Sequence, residues 1–295
     1  MKRTNSMLRF AGRVLLLLLL VPLSGTFAAE NRHLDNIRSV LEASTLSRME
    51  QTEVSTRAAA AMSAGVPGED VEIIVSRAVG RGADAGAINR FLDTGMSAKK
   101  EGLPVRPVLD RIEQGLSKGV PTERIVAASQ RLAEKIATAQ PLVDALIRDG
   151  MTPRRNNDRE AAIESAARAL EKSMNAHDIG AMGAAVRNQR GSLLLFTSAM
   201  DTATYFAASG MSPKTASRLV RDAVQKGSTE HDLGAMVRRM NDEMKHGTSA
   251  EDVAVKMERG NMQEDRGMEH QDMRQEMKTD RERGSGPGGM GGHGM

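Results

Sequence analysis

The chain has 295 residues, with 41 Lys+Arg against 38 Asp+Glu, no Cys, no Trp, one Tyr and five Phe. That composition excludes a disulfide scaffold, a thiolate zinc site and a cysteine nucleophile, and it leaves too few rings for an aromatic-stacking reader of nucleic acid.

Residues 1–28 read as a signal peptide. Lys2, Arg3, Arg9 and Arg13 form a basic start, Val14 to Val21 a short apolar run, and Pro22 and Gly25 break it. Thr26-Phe27-Ala28 places small residues at −3 and −1 for cleavage before Ala29. The apolar run is far below the ~20 residues of a bilayer span, so no transmembrane anchor is expected in the mature chain. With no Cys to lipidate, a bacterial lipoprotein is excluded. Without the four basic residues of the leader, 37 Lys+Arg face 38 Asp+Glu, and the formal charge moves from +3 to −1. The basic balance thus belongs to the leader and points to no nucleic-acid or anionic-membrane partner. The expected location is the periplasm or the cell exterior, where a thiol-free chain is at ease.

Residues 29–64 are expected to form one leading helix, with Leu34, Ile37 and Leu41 on one face and a closing Ala run. From Gly65 the chain repeats itself. Gly65-Val66-Pro67, Val71, Val75, Gly82 and Ile88 recur 37 residues on as Gly102-Leu103-Pro104, Val108, Ile112, Gly119 and Ile125. They recur 145 residues on as Gly210-Met211-Ser212, Ala216, Val220, Gly227 and Leu233. In all three copies the two glycines stand 17 residues apart. A further copy starts at Gly150-Met151-Thr152-Pro153 and contains His177-Asp178-Ile179-Gly180-Ala181-Met182. This stretch matches His231-Asp232-Leu233-Gly234-Ala235-Met236 with six more residues between the landmarks. The repeat domain is therefore 65–257, with units at about 65–101, 102–149, 150–209 and 210–246 and a half-unit over 247–257.

Pro, Ser or Thr near each entry suits a first helical turn. Apolar residues at i, i+4, i+7 and i+8 lay one stripe along the helix. Gly82, Gly119 and Gly227 stand where a left-handed residue ends it. A second helix follows, led by Pro121-Thr122-Glu123 or Ser228-Thr229-Glu230. The predicted fold is all-α: repeated helical hairpins, as a solenoid-like array or an irregular helical bundle, followed by a disordered C-terminal tail. Leu193 to Phe206 is the most apolar stretch after the leader and predicts a core helix.

Two motifs resemble chemistry. Gly80-Arg81-Gly82-Ala83-Asp84-Ala85-Gly86 has the look of a dinucleotide-binding glycine loop, but 145 residues on Gly80 becomes Gln225 and Gly86 becomes His231, and the spacing is one residue too long. Helix-end glycines explain it. His177-Asp178 and His231-Asp232 suggest a metal or acid–base pair, yet Asp178 lies three residues after Asn175 and Asp232 three after Thr229, the spacing of N-caps. No nucleophile elbow, phosphate loop or zincin motif is present, so no catalytic residue and no bound organic cofactor is assigned, and enzyme activity is not expected.

The tail, 258–295, is charged and then rich in Gly, Met and His. Met268-Glu269-His270-Gln271-Asp272-Met273 and Met290-Gly291-Gly292-His293-Gly294-Met295 each bracket a histidine with thioethers. With Met262 and Met277, these residues (Met262, Met268, His270, Met273, Met277, Met290, His293, Met295) form a candidate Cu(I)/Ag(I) ligand set, because soft thioethers and imidazole favour those ions. The tail is similar in composition to Met/His-rich segments of periplasmic copper-handling proteins. Eleven further Met lie between Met49 and Met244, so the tail also continues a habit of using Met as an adaptable filler. Met273 and Met277 would share one helix face suited to a partner. The functional expectation is a non-enzymatic binding or scaffold module with a protein partner, the alternative a Cu(I)-binding protein acting through the tail.

Overall fold

The computed structural model describes residues 24–259, and among these every regular element is helical. The expected leader up to residue 23 and the tail from residue 260 lie outside the described residues. No described helix is long and apolar enough to cross a membrane.

The helices are α1 (Ser24–Glu42), α2 (Arg48–Ser63), α3 (Gly68–Gly80), α4 (Ala85–Lys100), α5 (Arg106–Ser117), α6 (Thr122–Arg148), α7 (Asp158–Glu171), α8 (Ala176–Asn188), α9 (Leu193–Ala208), α10 (Pro213–Gln225) and α11 (Glu230–Lys245). Residues 250–259 form a further helix, α12. The chain divides into two compact units, 1–141 and 142–295, and the division falls inside α6 just after Pro141.

The helix ends follow from backbone chemistry. Gly65, Gly82, Gly102, Gly119, Gly150, Gly210, Gly227 and Gly247 all have positive φ, which glycine adopts without a Cβ penalty. At Gly65 the glycine N–H donates to the Met62 carbonyl at 2.8 Å and the Val66 N–H to the Ala61 carbonyl at 3.1 Å. These two bonds satisfy carbonyls that the finished helix leaves open. At five of the left-handed ends the next residue is turned inward: Val66, Leu103, Met151, Met174 and Met211 are all buried. Two helix ends use a residue other than glycine, Ser173 (φ 64°) and Arg190 (φ 54°).

In the first unit α1, α3 and α5 stack as one row, and α2 packs on α4 in a second. Ile37 and Leu41 of α1, Val71, Ile74 and Val75 of α3, and Val108 and Ile112 of α5 are buried between them. In the second unit α7, α9 and α11 form one row, and α8 packs on α10. The predicted core helix is α9. Phe196, Ala199, Ala203 and Phe206 are fully enclosed, whereas Tyr205 reaches the surface. Val75, Ile112 and Val220 are each 0% exposed, three repeat positions in the same kind of setting.

Polar contacts between row neighbours keep the period of the chain. Asn89 donates to Glu53 at 2.7 Å, Arg77 meets Glu113 at 2.8 Å, and Gln189 donates to the Gln225 carbonyl at 2.7 Å, each 36 residues apart. Tyr205 donates to Asn241 at the same separation, and Arg218 reaches Glu258, 40 residues on, at 2.7 Å.

Two expectations change. Residues 29–64 are not one helix, because α1 stops at Glu42 and α2 starts at Arg48. The Ser44 hydroxyl donates to the Leu41 carbonyl at 2.6 Å and closes α1. Ser47 and Glu50 then form a capping box that opens α2. The second change concerns the His-Asp match. Ser173 and Arg190 bracket α8 17 residues apart, the spacing around α3, α5 and α10. Accordingly α8 stacks on α10 and α9 on α11, so the matched dipeptides open helices of different rows.

Candidate functional site

The metal candidates Met262, Met268, His270, Met273, Met277, Met290, His293 and Met295 all lie outside the described residues. Within the described residues no three His, Cys, Asp or Glu side chains are placed to share a metal ion. The two His-Asp dipeptides are helix starts. Asn175 accepts the Asp178 N–H at 2.8 Å, and Thr229 and Asp232 cap one another through both backbone N–H groups. Hydrogen bonds from the Thr229 backbone and hydroxyl hold the Asp232 carboxyl below its ordinary pKa. The Gly80–Gly86 stretch joins two helices rather than a strand and a helix: Gly80 ends α3, Gly82 is left-handed, and the Asp84 side chain caps α4 by accepting the Ala87 N–H at 2.6 Å.

A groove of about 660 Å³ lies in the first unit between α4 and α6. One side of α4 carries Ile88, Phe91 and Leu92 into the core, and one side of α6 carries Ile125, Leu132 and Ile136. The start of α6 is fixed against α5 at Gly115, where an added Cβ would lie 2.6 Å from Ile125 Cγ1. The remaining faces of α4 and α6 line the groove. Arg90, Thr94, Ser97 and Glu101 come from α4, and Val126, Gln130, Ala133 and Ala137 from α6. Both sets follow the i, i+4, i+7, i+11 spacing of a single helix face.

The charges on the groove are unevenly paired. Arg90 meets Glu123 at 3.6 Å and Asp93 is held by Arg57 at 3.4 Å. Glu101 receives only the Ser97 hydroxyl at 3.1 Å. The Glu134 carboxylate, also on the lining, has no partner among the described residues. Pro141 has no N–H to give the Ala137 carbonyl four residues earlier, so the helix does not satisfy that acceptor in the usual way. No motif announces this groove, because it arises from how two helices are placed and neither face is unusual alone.

Two other hollows are smaller. One of about 230 Å³ lies beside Ser192 and Thr229, whose side chains already cap α9 and α11. The other, about 360 Å³, lies between α1 and α2 around Arg38, Gln51 and Thr56. Elsewhere Asp70 is 6% exposed with one carboxylate oxygen unpaired. Burial raises its pKa, and Arg106 at 3.4 Å opposes that rise. Asp70 stands in the first turn of α3 and shares Arg106 with Asp110, which the guanidinium meets at 3.4 Å.

No protein-family model and no curated protein matches the chain.

Proposed function

We propose that this protein is an exported, non-enzymatic binding or scaffold module that offers its helical rows to a protein partner. The observation that supports this reading is the α4/α6 groove, walled by one face of each helix, where the small Ser97, Ala133 and Ala137 stand beside the charged Arg90, Glu101 and Glu134. Stacked helical arrays are built to present such extended surfaces. Export rests on the leader-like residues 1–28 and is checked by intact mass, which should place the mature start at Ala29. Binding is tested by immobilising the full chain and an Ala133→Trp variant, which fills the groove, against cell-envelope extract. A specific partner held by the parent and lost by the variant supports the reading. Identical recovery by both counts against it.

A second reading follows from the two tail clusters that bracket His270 and His293 with methionines, a set of soft ligands for Cu(I) or Ag(I). The full chain should compete with a chromogenic chelator for Cu(I), and a chain ending at Arg259 should not. That end point keeps Met257, which is 3% exposed and part of the packing of α12.

A further inference from the structure

We propose that the α4/α6 groove receives a single basic amphipathic helix contributed by the protein partner. The inference rests on the binding-module reading and deepens it by naming the chemistry of the occupant.

Shape supplies the first argument. The lining positions on α4 and α6 run in parallel registers of eleven residues, about 16 Å of helix on each side. Ser97, Ala133 and Ala137 are small, so a third helix can bring its backbone close to both. A small-molecule site would show aromatic walls, and this lining has no aromatic side chain. In the same unit α2 already packs directly on α4, which shows what this helix accepts as a neighbour.

Charge gives the sign. The one cation of the lining, Arg90, is engaged by Glu123. Of the three carboxylates, Asp93 is engaged by Arg57, whereas Glu101 and Glu134 have no cationic partner among the described residues. An occupant with an apolar stripe flanked by Lys or Arg would satisfy both, and an acidic helix would face like charge.

The test uses the full chain and two fluorescein-labelled peptides, each an amphipathic helix of Leu with either Lys or Glu on its polar face. The Lys peptide should bind, with the Glu peptide weaker by about tenfold or more. The Glu101→Lys/Glu134→Lys variant should lose about tenfold for the Lys peptide. A control of equal charge change at other exposed sites, Glu42→Lys/Asp242→Lys, should not. Ala133→Trp and, separately, Ala137→Trp should both block binding while the helical circular dichroism stays unchanged. Equal loss in the charge control, or undiminished binding by whichever Trp variant folds, overturns the proposal. If an envelope partner is lost on filling the groove but is indifferent to Glu101 and Glu134, the basic-helix assignment fails and the binding-module reading stands.

Discussion

Arg77 on α3 and Glu113 on α5 meet at 2.8 Å across 36 residues of chain, and the same Arg77 reaches the Ser117 hydroxyl one turn further on. The pair ties one row member to the next at the period of the repeat. Both side chains are partly exposed, so the coupling is small. A double-mutant cycle with Arg77→Ala and Glu113→Ala should return about 0.2–1 kcal/mol, and less at high salt. A coupling near zero at low salt would show that the apolar stripes alone set the stacking.

Glycines inside helices separate into two kinds. At Gly115 a new Cβ would meet three atoms of the buried Ile125 side chain, the nearest at 2.6 Å. Gly115→Ala should therefore cost about 1–3 kcal/mol by overpacking the α5/α6 contact. At Gly180, inside α8, an added methyl meets nothing within 4 Å. Gly180→Ala should stabilise by about 0.5–1 kcal/mol. Urea unfolding of both variants checks the pair of signs.

Ser173 and Arg190 occupy left-handed backbone that costs an L-residue roughly 1–2 kcal/mol. Arg190→Gly should raise stability by up to about 1 kcal/mol, because the conformational gain is partly offset by glycine's greater freedom when unfolded. A lower melting temperature in the variant would mean that the Arg190 side chain contributes more than its backbone costs.

Asp70 gives a pH signature. Burial raises its pKa in the folded state, against the pull of Arg106 and with the help of Asp110, Glu69 and Glu113. The folded chain then holds this proton more tightly than the unfolded chain does. Its contribution favours folding in acid and is lost as pH rises through the folded-state pKa. Asp70→Asn removes the ionisation, so the variant should melt higher than the parent at pH 7. The two melting temperatures should converge below about pH 4. A variant that melts lower at pH 7 would show that the Arg106 pair outweighs the burial.

Much of this architecture could be read from residues. The glycines 17 apart reported helix ends, and Asn175 and Thr229 reported helix starts, because both signals depend on local backbone chemistry. The break between α1 and α2 was hidden by an apolar pattern that continues past it, and only the Ser44 and Ser47 side chains mark it. The motif match of His177-Asp178 to His231-Asp232 misled because two capping sequences can resemble each other on helices of different rows. The groove was invisible for another reason. Val126, Gln130, Ala133 and Ala137 form an ordinary helix face, and only the placement of α4 beside it makes a site.

The 36-residue ladder also bears on how such a chain changes length. Wherever consecutive row members meet through equivalent surfaces, excising one whole period rejoins faces that already fit, whereas removing half a period brings mismatched ones together. Insertions and deletions in multiples of the period should therefore be the edits this fold absorbs most readily, and the number of modules becomes a quantity that recombination can adjust without redesigning the joints.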